Sequence, residues 1–352
     1  MNIKASYTKY NLIFKRPSGT SRGILKEKET WFLLLKDEER WGIGECAVFR
    51  GLSADDVENY EEKLQWVCRH IHLGLDELLK ELQAFPSIQF GLEQAFLSLS
   101  SVNPFILFPS SFTENTAPIA INGLVWMGEQ AFMHKQIEEK IAKGFTCIKL
   151  KIGAIDFNEE MALLEGIRAK YNKETIEIRV DANGAFSPDE ALDKLRVLAS
   201  FQLHSIEQPI KQGQLEQMKE LCLQTPLPIA LDEELIGIHA FEEKEALLKK
   251  VAPQYIILKP SLVGGFKGSL EWITLAEKYN IGWWITSALE SNIGLNAIAQ
   301  WTKSLQVTMP QGLGTGNLFT NNINSPLEVI EGSIRYNKNK DWDHKQVQLL
   351  CI

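Results

Sequence analysis

The sequence predicts an α/β barrel joined to a smaller α+β module, on three observations. From residue 117 onward, eight short β-rich runs alternate with amphipathic stretches; the first 115 residues lack that rhythm; and it stops after residue 320. Eight strands alternating with helices imply parallel pairing, and eight such units close into a barrel, with a doubly wound open sheet as the alternative.

The amino-terminal region contains "YTKYNLIFK" and "ETWFLLLKDEERWGIGECAV", which read as antiparallel strands, the second with a turn near Asp37–Arg40. "SADDVENYEEKLQWVCRHI" and "FGLEQAFLSLSS" read as helices. Between the first strands, "RPSGTSRG" (16–23) holds two glycines among Ser, Thr and Pro, the composition of a mobile loop or an ordinary surface turn. The barrel strands are expected at 118–122, 146–151, 176–181, 204–207, 228–232, 255–259, 283–287 and 306–310. A helix over 127–143 ends before Gly144, a C-cap residue, and Ser187, Pro188 and Glu190 open another with an N-cap, a proline at N1 and a capping-box acid. Further helices are read at 237–250, 267–279 and 291–303, and "GSIRYNKNKDWDHKQVQLL" reads as a hairpin. The resulting division is a capping region over 1–115, a barrel over 116–320, and a tail over 321–352 returning to the capping region.

Composition excludes several classes of function. The 352 residues are 45% hydrophobic and 23% charged, with a net charge of -8, which gives no basic surface for nucleic acid or an anionic membrane. No window reaches the ~18 apolar residues of a membrane span, and the amino terminus lacks a signal-like apolar segment. Five scattered cysteines without a CxxC pair argue against a disulfide framework or zinc site and suit a reducing cytoplasm. The expected partner is a small molecule, and nothing indicates an oligomeric state.

The ionisable residues at the strand ends carry the chemistry. In "CIKLK", Lys149 and Lys151 alternate with apolar residues, so both ammonium groups leave one face, about 6–7 Å apart at the backbone. An edge strand with one solvated face would also carry Lys–x–Lys. Asp181, Glu207, Asp232 and Lys259 then follow at intervals of 25 to 30 residues, one βα unit each. The rim where barrel enzymes build their sites thus receives two lysines, three acids and one lysine. Three converging carboxylates repel unless a cation sits among them, and all-oxygen ligands select a hard ion, Mg2+.

The set "KLK", "VDANGAF", "SIEQP", "ALDEE" and "ILKP" resembles the enolase superfamily, in its muconate-lactonising-enzyme subgroup, over nearly the whole chain. The resemblance implies a modified TIM barrel, (β/α)7β, with a capping domain from both chain ends. It implies Mg2+ on Asp181, Glu207 and Asp232, with Mn2+ able to substitute. It also implies Lys149–x–Lys151 facing Lys259 across a small carboxylate substrate. Lys151 is then the base, made basic by the neighbouring Lys149 ammonium and the divalent cation. The end of the seventh strand, "WWITSALESNIGL", has no His, unlike the mandelate-racemase branch, and "QGLGTGNLFTNN" lacks the Asp-x-Asp of dipeptide epimerases. "TSALESNIGLNAIAQW" with "GLGTGNLF" looks most like the o-succinylbenzoate synthase family of menaquinone biosynthesis. That likeness implies a lyase performing a syn-dehydration. An N-acylamino acid racemase using the same lysines and a non-catalytic metal-binding barrel are the alternatives. It places Asn183, Ser287 and Ser291 near substrate oxygens and Thr20 and Ser21 in a loop folding over the mouth, while the G-x-G-x-G run at 312–316 itself reads as a backbone nest in which Gly314 meets a substrate carboxylate.

Overall fold

The structure is a computed structural model that describes residues 3–20 and 23–349. The chain opens with an antiparallel sheet of β1 (Lys4–Thr20), β2 (Gly23–Lys36) and β3 (Trp41–Cys46). The segment read as a loop over 16–23 is largely strand: β1 and β2 form one long hairpin whose register shifts between Ile13 and Ser18, then pairs Thr20 with Gly23. The apolar run Trp31–Leu35 is continuous because both faces of β2 are covered. Trp31, Leu33 and Leu35 pack on α1 (Tyr60–His70), α2 (Leu75–Glu81) and α3 (Pro86–Ser100), while Phe32 and Leu34 face the other way. Glycine lets α3 touch the sheet: a Cβ on Gly44 would stand 1.9 Å from the Gly91 carbonyl oxygen.

After β4 (Ile119–Ala120), the barrel runs β5 (Gly123–Val125), α4 (Gln130–Ala142), β6 (Cys147–Lys151), α5 (Phe157–Lys170), β7 (Glu177–Asp181), α6 (Pro188–Ala199) and β8 (Ser205–Glu207). It continues through α7 (Leu215–Gln224), β9 (Ile229–Leu231), α8 (Phe241–Val251), β10 (Tyr255–Leu258), α9 (Pro260–Val263), α10 (Gly265–Lys278), β11 (Gly282–Ile285) and α11 (Asn292–Ser304). β5 to β11 lie side by side in chain order, all parallel. The anticipated cap of α6 is present, with Glu190 Oε1 accepting from Ser187 N–H at 3.0 Å.

The eighth strand differs from expectation. The run 306–310 is not extended pairing; Gln311 and Gly312 instead close the barrel by parallel bridges to Ile121 and Thr286. Pro310 has no N–H to give a ladder, so pairing begins one residue later, with Gln311 N–H on Ala120 O and Gly312 N–H on Ile285 O, both 2.8 Å. The hairpin read over 332–350 is displaced: β12 (Leu327–Ile330) pairs with β13 (Ser333–Tyr336), so only its second strand falls in that stretch, and it adds to β4 rather than to the amino-terminal sheet. Beyond it, Trp342 and Val347, the latter in α12 (His344–Leu349), pack with Phe32, Leu34 and Ile43 of that sheet. Phe14 meets Phe319 edge-on at 4.7 Å between ring centroids. No helix among the described residues is long and apolar enough to cross a membrane.

Candidate active site

Strand register assembles the site. Lys151 pairs with Asp181, Asp181 with Glu207, and Glu207 with Ala230, two residues before Asp232. Side chains alternate along a strand, so these residues enter the barrel interior on one face as its uppermost layer. Lys149, Arg179 and Ser205 form the layer beneath by the same pairing. Lys149, Lys151, Asp181, Asn183 and Lys259 line a cavity of about 100 Å³ at the carboxyl ends of the strands. Its wall includes Phe49 and Leu52 from the capping region, Leu124 in β5 and Trp126 just after it, and Ser287, Gly314 and Thr315 near the closing strand.

Cations and carboxylates alternate across these two layers. Lys149 Nζ lies 3.0 Å from Asp181 Oδ2 and also pairs with Glu207. Lys151 Nζ donates to Asp181 Oδ2 at 2.9 Å and to Asn183 Oδ1 at 2.6 Å. Lys259 pairs with Asp232, with Glu207 Oε1 4.0 Å away. Burial alone would discharge Lys149, but Asp181, Glu207 and Asp232 outweigh it and hold that ammonium well above the usual lysine range. Burial likewise acts to raise Asp181, and the three lysines overcome it, keeping this carboxyl well below the usual range. Glu207 is pushed up to about 8, by burial first and then by Asp181.

Three rim residues hold left-handed backbone without being glycine: Asn183 (φ 44°), Gln208 (φ 41°) and Leu289 (φ 65°). Such strain collects where a site demands a particular side-chain direction. Asn183 thereby bridges Lys151 to Glu233, donating to Glu233 Oε1 at 3.0 Å. Gln208, which sequence reasoning did not single out, accepts from Asp232 N–H at 3.2 Å and donates to Glu234 Oε2 at 3.0 Å. It fixes the turn that carries Asp232.

Known proteins resemble this chain in sequence and fold. Residues 133–339 match the family described as enolase C-terminal domain-like, and residues 4–99 match the MenC N-terminal domain. The o-succinylbenzoate synthase of Desulfotalea psychrophila is 49% identical over 361 aligned positions, covering 94% of this chain and 98% of that protein. This chain belongs to the o-succinylbenzoate synthase family of the enolase superfamily. Among solved structures, MenC from Desulfotalea psychrophila superposes on this family member with a TM-score of 0.85 at 46% identity, covering 95% of this chain and 99% of that one. The muconate lactonizing enzyme from Pseudomonas fluorescens, at 20% identity, shares the fold with a TM-score of 0.80 over 99% and 98% of the two chains.

Members of this superfamily generally use Mg2+. The three carboxylates expected to gather round a cation are instead interleaved with ammonium groups, and no cluster of three acids, His or Cys in ligating geometry occurs among the described residues. The donor set nonetheless fits a hard divalent ion. Asp181, Glu207 and Asp232 are all buried, and Glu207 Oε1 is enclosed without a hydrogen-bond partner. Burial first, and then the neighbouring Asp181 carboxylate, push Glu207 up, and a divalent cation beside it would relieve both.

The further contacts anticipated from the sequence divide. Ser287 and Gly314 line the cavity. Ser291 does not: its Oγ donates to Glu45 Oε2 at 2.6 Å and accepts from Ile293 N–H, so it is a buried N-cap of α11 joined to β3. Glu45 lies 246 residues away in sequence, which hides that role from any local reading. Ser21 lies outside the described residues, as does the side chain of Thr20. Thr315, Trp126 and Phe49 were not singled out; as a hydroxyl and two aromatic rings in loops they carry no periodic signal.

Proposed function

We propose that the protein is an o-succinylbenzoate synthase, a lyase that dehydrates 2-succinyl-6-hydroxy-2,4-cyclohexadiene-1-carboxylate in menaquinone biosynthesis. The observation that carries this reading is a single cavity lined by Lys149, Lys151 and Lys259, in a chain 49% identical to a synthase over almost its full length.

In this reading Asp181, Glu207 and Asp232 hold Mg2+, with Mn2+ able to replace it. When bound, the ion supplies Lewis-acid stabilisation of the charge that develops as the proton α to the carboxylate is removed. Lys151 Nζ takes that proton. Lys149 stands beside it as a second ammonium, paired with Asp181 and Glu207. Asn183 Oδ1, 2.6 Å from Lys151 Nζ, fixes the amine's direction. Now an ammonium, Lys151 returns the proton to the departing hydroxyl on the same face, which makes the elimination syn and leaves the aromatic ring. Lys259, paired with Asp232, stays cationic on the other side of the cavity. Apolar surface from Phe49, Leu52, Leu124 and Trp126 receives the ring and excludes water.

A second reading, N-succinylamino acid racemase, is favoured by one observation: Lys151 and Lys259 enter the same cavity from β6 and the end of β10, four strands apart. Following aromatisation by absorbance with Mg2+ and with excess EDTA separates the two. Metal-dependent conversion is the expected result. Exchange of substrate α-hydrogen with solvent deuterium, without aromatisation, would transfer the site to the racemase reaction.

A further inference from the structure

Behind the cavity wall lies a second buried polar network that the reaction above does not use. Thr315 Oγ1 is 2.8 Å from Ser287 Oγ, and Ser287 Oγ is 2.5 Å from Glu290 Oε2. Ser261 Oγ donates to Glu290 Oε1 at 2.6 Å, and Leu289 N–H donates to Ser287 Oγ at 3.1 Å. Thr315 and Ser287 line the cavity, whereas Glu290 and Ser261 are completely buried.

Two charged groups face Glu290: Lys28 from β2 and Glu45 from β3. Lys28 Nζ is closed to solvent, with neither a hydrogen bond nor an ion pair among the described residues. Glu45 accepts from Thr30 Oγ1 at 2.8 Å, from Ser291 N–H at 2.9 Å, from Ser291 Oγ at 2.6 Å and from Gly294 N–H at 2.9 Å. One ammonium therefore stands among two buried carboxyl groups. A dry site does not hold an uncompensated anion cheaply. Burial pulls the Lys28 ammonium down, so it offsets at most one negative charge, and the four donors around Glu45, three of them at the amino end of α11, place that charge there. Among the described residues Glu290 has two hydroxyl partners and no cation in contact.

Resting on the dicarboxylate substrate proposed above, we propose that Glu290 is a protonated positioning residue. Through Ser287 it makes Thr315 present a hydrogen-bond donor to the substrate's second, side-chain carboxylate. Hydroxyl hydrogens rotate to suit their partners. With Glu290 protonated, the acid donates to Ser287, Ser287 to Thr315, and Thr315 into the cavity. With Glu290 ionised, both hydroxyl protons turn back toward it and the wall offers only lone pairs, which repel a carboxylate. Burial pushes the Glu290 carboxyl up, against the pull of Lys28 and the two hydroxyls.

The test is KM for the succinyl substrate from about pH 6 to about pH 9.5, with kcat read separately and Mg2+ saturating, together with difference infrared spectra of wild type against E290Q. The expected wild-type KM rises about tenfold on the alkaline side, the loss of one charge-assisted hydrogen bond. E290Q, whose amide donates at every pH, loses that rise, and the carbonyl band of a buried protonated carboxyl disappears from its spectrum. If E290Q does not fold, T315V serves instead, with KM raised about tenfold and insensitive to pH. An alkaline rise that persists in E290Q, or a neutral-pH spectrum with no such band to lose, overturns the assignment. The infrared reading needs no turnover, so a protein that shows the band but does not dehydrate the substrate would refute the functional reading rather than the proton on Glu290.

Discussion

Lys149 shows how one side chain serves stability and chemistry together. It is the cation between Asp181 and Glu207, and both carboxylates are buried. Lys149→Met leaves Asp181 with Lys151 but strips buried Glu207 of its contact cation, a loss of about 3 kcal/mol in the metal-free protein. Because Mg2+ would neutralise the same carboxylates, the loss is expected to shrink when the ion is present. Denaturant unfolding of wild type and variant, with and without Mg2+, measures both numbers; equal losses in the two conditions would contradict a shared cation site. The lysines and acids of the rim were legible in the sequence because strand periodicity and unit length alone put them on one face at one end. Their present pairing was not legible. It depends on distances between strands, and the same six residues can interleave as ion pairs or gather about a cation. Ser291 was misassigned for a related reason, since its partner Glu45 lies on a strand of the other module.

At the scale of elements, α3 ties the capping region to the barrel through one buried acid. Glu93 accepts from the backbone N–H groups of Phe266 and Lys267 at the start of α10, the latter at 3.0 Å. Burial pushes its carboxyl up to about 7, against those two bonds. A carboxyl raised above its unfolded value contributes stability that is fully present below the unfolded pKa. That stability is lost as pH rises through the folded pKa. From about pH 4.5 to about pH 7 the loss amounts to about 3 kcal/mol. Glu93→Gln has no such proton to lose, so the stability difference between wild type and variant should move by that amount over this window and then level off. Urea denaturation across the range checks it; a difference independent of pH would show that Glu93 stays ionised throughout. The elements themselves were largely readable, including the hairpin turn at Asp37–Arg40, where Asp37 N–H meets Arg40 O at 3.0 Å. The closing strand was displaced because two isolated bridges carry too few residues to leave a periodic pattern.

Across the whole molecule, the cavity is built where the amino-terminal module, the barrel rim and the closing strand meet, so fold and site stand or fall together. Cap residues Phe49 and Leu52 share its wall with the lysines. Metal binding should therefore be read as global stability: saturating Mg2+ is expected to raise Tm by a few degrees, and EDTA to reverse it. A Tm unaffected by Mg2+ at concentrations that support activity would place the ion somewhere other than among Asp181, Glu207 and Asp232. The central claim is narrower, that one amine both removes the α-proton and returns it to the leaving hydroxyl. The measurement that tests it most directly is aromatisation of the cyclohexadiene carboxylate by Lys151→Ala, with fold and Mg2+ binding verified. A fall in kcat of at least about 10³-fold is predicted, since two proton transfers lose their only carrier. Near-wild-type dehydration by that variant would contradict the account.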